Sequence, residues 1–145
     1  MEIDYEKMSP RQFMASLEKM GACYLARERL CRKTVKQCMA YCKRFEKDYL
    51  GWFAAHAPGL SVKTMEKLIN MTDRSGLWYG HAAACSPCLS VKAREAWIEK
   101  SGDRVHWYFQ AANYPSPGIS KSRRDKWAAK ARKGAWAYVA RRRND

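Results

Sequence analysis

Two stretches of this chain are nearly the same. Residues 51–70 read GWFAAHAPGLSVKTMEKLIN and residues 80–99 read GHAAACSPCLSVKAREAWIE, so ten of twenty aligned positions are identical at an offset of 29 residues. A fixed period of this size marks repeated supersecondary units, each too small to bury its apolar face alone. Fainter matches flank the pair, PGISKSRRDKW from residue 117 and LCRKTVKQCM from residue 30. The expected fold is therefore all-α. It would be one compact domain, 1–145, built of two-helix units at 21–50, 51–79, 80–109 and 110–140, with a basic tail at 141–145. Convergence of short helical hairpins on similar caps is the competing explanation.

The local chemistry explains why such a unit folds as two helices. Gly59 suits the left-handed conformation of a tight turn. Leu60 follows as an apolar plug, and Ser61 suits the N-cap of the next helix. Met65, Leu68 and Ile69 then share one helical face, leaving Lys63, Thr64, Lys67 and Asn70 on the other. Trp97 and Trp127 fall where Leu68 sits and read as packing residues. Elsewhere Ser9 and Pro10 open a helix that Gly21 closes. Residues 32–50 read as one longer helix with Val35, Cys38, Met39, Cys42, Phe45 and Tyr49 inward. A short helix at 52–57 precedes Pro58. Asp103 caps a helix reaching 113, residues 114–118 form a Pro-rich loop, and Ser120 opens a basic helix that Gly134 interrupts. No alternating strand pattern stands out.

Charge says more about partners than about fold. The chain carries a net charge of +14, unevenly spread. Residues 1–30 are balanced, whereas 121–145 hold ten basic and two acidic residues. A polyanion is the natural partner, and nucleic acid is the commonest one. Anionic lipid or an acidic protein are the other polyanionic choices. A hydrophobic content of 47% is enough for a packed core and argues against a disordered chain. The opening MEIDYEKM has no apolar run, so no secretory signal is expected. The uncharged stretch after Arg74 is too short and polar to span a bilayer. The six cysteines are then expected as reduced thiols in a cytoplasmic or nucleoid-associated protein.

Residues 54–69 resemble the helix-turn-helix superfamily of DNA-binding proteins. Ala55 supplies the small residue of the first helix, Gly59 the turn, Leu60 the apolar residue after it, and Met65 and Leu68 the inward positions. Pro58 departs from the pattern. Residues 24–39, YLARERLCRKTVKQCM, resemble it too through Thr34, Val35 and Cys38, with Arg29 where the turn glycine belongs. The later units depart further, with Arg94 and Arg124 at inward positions. The resemblance implies that each second helix enters a major groove with its early residues near base edges. These would be Arg32, Lys33, Thr34, Lys36 and Gln37 in one unit, and Lys63, Thr64 and Lys67 in the next. Lysine and arginine suit guanine, and glutamine suits adenine. Lys121, Arg123, Arg124, Lys126, Lys130, Arg132 and Lys133 would hold phosphates, which gives affinity without sequence choice. The competing view is that all of these form merely the solvated faces of amphipathic helices.

Other chemistry is thinly represented. His81, Cys85 and Cys88 supply three candidate zinc ligands, since CxxC is a common half-site. The same Cys85–Cys88 segment aligns with the turn at 56–59, so a decorated turn explains it without metal, and no cofactor is expected. Cys31, Cys38 and Cys42 read as small core residues. His56 and His106 sit among apolar residues and read as buried. No nucleophile–base pair, Walker A loop, GxSxG or HExxH occurs, so no enzyme is expected. The expected activity is duplex DNA binding in transcription regulation, replication or maintenance of a phage, plasmid or bacterial genome. One alternative is a small phage or mobile-element protein that inhibits a nucleic-acid-handling or defence machine. Another is a short helical-repeat RNA-binding protein whose aromatics stack on bases.

Overall fold

The computed structural model describes residues 1–74, 76–86, 89–113 and 119–144, with 134–144 as backbone only. Among these residues the protein is all-helical, with nine α-helices, one short 3-10 helix and no strand. The helices are α1 (Pro10–Met20), α2 (Tyr24–Leu30), α3 (Val35–Phe45), α4 (Lys47–His56), α5 (Val62–Met71), α6 (Leu77–Cys85), α7 (Val91–Lys100), α8 (Arg104–Asn113) and α9 (Lys121–Asn144). Among the described residues no helix is long and apolar enough to cross a membrane. The packing divides into two compact units, Met1–Thr72 and Asp73–Asp145.

The first unit starts from local signals that the chain obeys. Ser9 and Gln12 form a reciprocal capping box, Pro10 takes the first helical position, and Gly21 ends α1 with φ 90°. Thr34 and Gln37 make a second capping box at α3. Ser61 Oγ accepts from the Thr64 amide at α5. The apolar faces then close on one another. Tyr5, Phe13 and Phe53 meet edge-on or tilted, with ring centroids 5.1–6.4 Å apart. Leu17, Leu30, Val35, Cys38, Cys42, Leu50, Ala54, Leu60, Met65, Leu68 and Ile69 are buried with them. Each large side chain so buried contributes about 1.5–3 kcal/mol. The N-terminal strap is tied to the α4–α5 turn, because Tyr5 Oη donates to Pro58 O at 2.5 Å and Ile3 N to Gly59 O at 2.7 Å.

Residues 32–50 do not form one helix. The chain breaks at Glu46, whose φ of −143° is not helical, and restarts as α4. Side chains distant in sequence hold the break: Arg29 pairs with the Glu46 carboxylate, and Thr72 Oγ1 donates to Lys47 O at 3.2 Å. Phe45, expected inward, is exposed, because α3 ends there and Leu50 of α4 is the next buried apolar residue. Cys38 and Cys42 are core residues as expected, whereas Cys31 is exposed in the turn after α2. Burial pushes the Cys42 thiol up to about 12.

The second unit packs α6, α7, α8 and α9. Ala82, Ala83 and Ala84 give α6 a thin buried surface, and Gly80 lets the Trp107 ring lie where a Cβ would stand. Ser90 Oγ accepts from the Ala93 amide at the start of α7, and Asp103 Oδ1 from the His106 amide at the start of α8. Leu89, Trp97, Ile98, Trp107, Tyr108 and Trp127 form the core. Trp97 and Trp127 are thus packing residues. The α9 backbone is helical through Gly134 to Asn144, without the interruption and separate tail expected from the sequence. The expected 114–118 loop lies outside the described residues.

Candidate nucleic-acid interface

The turn before each candidate helix in the first unit has the same backbone device. Gly59 takes φ 72° three residues before α5 begins, and Arg32 takes φ 62° three residues before α3 begins. The left-handed position in the α2–α3 turn is therefore Arg32, not Arg29 as the sequence alignment placed it. Arg29 lies inside α2, where its guanidinium meets Glu46 and, at 3.3 Å, Tyr49 Oη. A non-glycine residue in this conformation costs roughly 1–2 kcal/mol. At Gly59 the space is also filled, since an added Cβ would stand 2.7 Å from Ile3 Cγ1.

None of the candidate contact residues is buried, but they differ in how far they are committed within the fold. Arg32, Thr34, Lys36 and Gln37 are exposed at the start of α3. Thr34 Oγ1 accepts from the Gln37 amide, and Gln37 Oε1 accepts from the Thr34 amide at 2.9 Å. Gln37 thus keeps only its side-chain NH2 for an outside acceptor. Lys33 is half-buried: its Nζ donates to Arg29 O at 2.7 Å and lies 5.3 Å from the Tyr41 ring centroid. In α5, Lys63, Thr64 and Lys67 are exposed while Met65, Leu68 and Ile69 are buried, as the periodicity predicts. Thr64 and Lys67 line a cleft of about 530 Å³ together with Glu2, Asp4 and Glu6. This acidic strap beside α5 was not foreseen. Its signal, three carboxylates within the first six residues, has no meaning until Ile3 is seen bonded to Gly59.

In the second unit α9 is anchored by Trp127, whose Nε1 donates to Glu95 Oε1 at 3.0 Å. Arg123 donates to the same oxygen at 2.9 Å, so one of the expected phosphate contacts is occupied internally. Arg124 is half-buried, Lys121 pairs with Asp125 at 3.4 Å, and Lys130 lies 4.9 Å from the Tyr108 ring centroid. Lys126, Arg132 and Lys133 are exposed. Among the described residues no ion pair neutralises Lys36, Lys63, Lys67, Lys126, Arg132 or Lys133.

The histidines and thiols take ordinary structural places. His56 and His106 are exposed, contrary to the burial expected. His56 is satisfied locally instead, with Nδ1 2.9 Å from Trp52 O and its ring stacked on Trp52. His81 lies against Trp78 and Trp107, and burial raises the Cys85 thiol above its usual value. Cys88 lies outside the described residues. Among the described residues no group of three His, Cys, Asp or Glu side chains is placed to hold a metal ion. Compared with known proteins, the chain matches no family model, no curated protein sequence and no solved structure.

Proposed function

We propose that the protein binds nucleic acid, with duplex DNA contacted by the first turns of α3 and α5 and phosphates held by α9. The observation that carries this reading is the set of exposed lysines and arginines without internal ion pairs, on helices whose opposite faces are fixed in the core. A chain of net charge +14 that leaves such cations open has electrostatic energy available for a polyanion. Two left-handed turns, each followed by a capped helix, support the helix-turn-helix-like reading and the repeated two-helix arrangement. Lys36, Lys63 and Lys67 suit base edges best, since Thr64 Oγ1 already accepts from Ser61 Oγ. Arg123 and Gln37 are less suited than the sequence implied, because each already serves the fold.

Salt titrations of binding to random and selected duplexes test the assignment. Replacing Lys126, Arg132 and Lys133 with alanine should weaken binding to every sequence alike and make the log–log salt slope shallower by about one per lost contact. Replacing Lys63 and Lys67 should change which sequence is preferred, each lost base contact costing about 1–3 kcal/mol. Neutral Glu2→Gln/Asp4→Asn/Glu6→Gln should strengthen binding at low salt. Failure to bind any nucleic acid would turn the reading toward an acidic protein partner.

A further inference from the structure

The C-terminal end of α3 carries a feature that groove binding does not use. Tyr41 and Phe45 are one helical turn apart, and their rings touch with centroids 5.2 Å apart at a tilt of 46°. Lys33 Nζ stands over the Tyr41 ring, and the Arg44 guanidinium stands 5.0 Å from the Phe45 centroid. Phe45 is 60% exposed, far outside the core that occupies Val35, Cys38 and Cys42 on the same helix. Lys36, Lys43 and Lys47 are exposed along the same segment. The nearby carboxylate of Glu46 is engaged by Arg29, which leaves exposed Asp48 as the acidic group adjoining it in sequence.

Aromatic rings interleaved with cations are the pattern that unpaired nucleic acid requires. Bases offer π-faces of any sequence, and the phosphates between them need positive charge. A duplex hides its base faces in the stack, so a phenyl ring on a helix surface gains nothing from it. A protein partner would demand charge opposite to this basic surround. We propose that Tyr41 and Phe45 form a stacking platform for the bases of single-stranded nucleic acid, with Lys33 and Arg44 beside the rings to meet the phosphates, an inference that rests on the nucleic-acid reading above.

The test is fluorescence anisotropy with the full chain and three labelled probes: an oligothymidine strand, a strand of equal length made of abasic sites, and a duplex. The abasic strand has the phosphates without the bases. The oligothymidine should bind about tenfold more tightly than the abasic strand, the scale of one stacked base. Phe45→Ala should close that gap while leaving the abasic and duplex affinities unchanged, and Phe45→Trp should restore it. Phe45 is exposed, so the fold should tolerate both changes, and unaltered helical circular dichroism checks this. Equal binding of thymidine and abasic strands by the native chain overturns the platform, as does a base preference that survives Phe45→Ala. Duplex binding without base preference removes the platform alone, whereas no binding to any probe removes the nucleic-acid reading with it.

Discussion

Helix α5 of the first unit and α7 of the second carry closely related sequences, yet they bury opposite chemistry at the same position. Met65 and Arg94 are 29 residues apart in the aligned stretches, and they are 2% and 1% exposed. Leu68 and Ile69 in one helix correspond to Trp97 and Ile98 in the other, and all four are buried. The helical period decides which positions face inward, whatever stands there. What stands there is tolerated only if its surroundings suit it. Met65 is buried on the same helical face as Leu68 and Ile69. Arg94 donates through Nη1 to Ala84 O at 2.8 Å and through Nη2 to Ser86 O, and its guanidinium lies 5.9 Å from the Trp127 ring centroid. Those carbonyls are at the end of α6, where backbone acceptors lack helical partners and the helix dipole is negative. Burial still pushes the Arg94 guanidinium below its ordinary value.

The sharpest way to break the comparison is to exchange the chemistry. Met65→Arg should be the most damaging change, because it puts a guanidinium where the fold buries a thioether. We expect a loss of about 3–5 kcal/mol in urea unfolding, the scale of an uncompensated buried charge. An unchanged midpoint would show that α5 can supply acceptors too. Arg94→Met keeps most of the volume and strands the Ala84 and Ser86 carbonyls. Its expected cost is about 1–3 kcal/mol. A gain in stability would mean that water or backbone adjustment satisfies those groups.

The caps sharpen the likeness rather than the difference. Ser61→Ala and Ser90→Ala should each cost about 1 kcal/mol, since both hydroxyls accept from an amide three residues on. Ser61 also donates to Thr64 Oγ1 at 2.8 Å, so its loss should be the slightly larger one in thermal melts. A Ser90 effect well above that of Ser61 would contradict the shared geometry.

The smallest expected effect is one of pH, and it belongs to the second unit alone. The hydrogen bond from Tyr108 Oη, at 2.5 Å, holds the Glu99 carboxyl below its ordinary value, against the opposing pull of burial and with help from Arg104. A depressed carboxyl contributes stability above its unfolded value, and that contribution is lost as pH falls through the folded one. Glu99→Gln should therefore lower stability modestly at neutral pH and flatten the acid limb below the usual carboxylate range. Parallel acid limbs in the two proteins would assign the linkage elsewhere.

Much of the fold was written locally. Ser9, Thr34, Ser61, Ser90 and Asp103 each have an acceptor atom within reach of an amide two or three residues along, and a sequence displays such pairs directly. The inward faces of α1 and α5 follow from the 3.6-residue period, and Gly59 follows from the one residue type that takes its conformation freely. The cations open to a partner are legible in part, because Lys63 and Lys67 are placed by that same period. The Glu46 break, the left-handed Arg32, the occupied Arg123, the exposed Phe45 and His56, and the acidic strap beside α5 were decided elsewhere. Several of these depend on partners far away in the chain: Arg29 and Thr72 for the break, Glu95 for Arg123, Gly59 for the strap. A sequence read in windows shows which groups need partners. Only the tertiary structure brings an Ala84 carbonyl to Arg94, and that proximity decides whether a charged residue at an inward position is an error or a fastening.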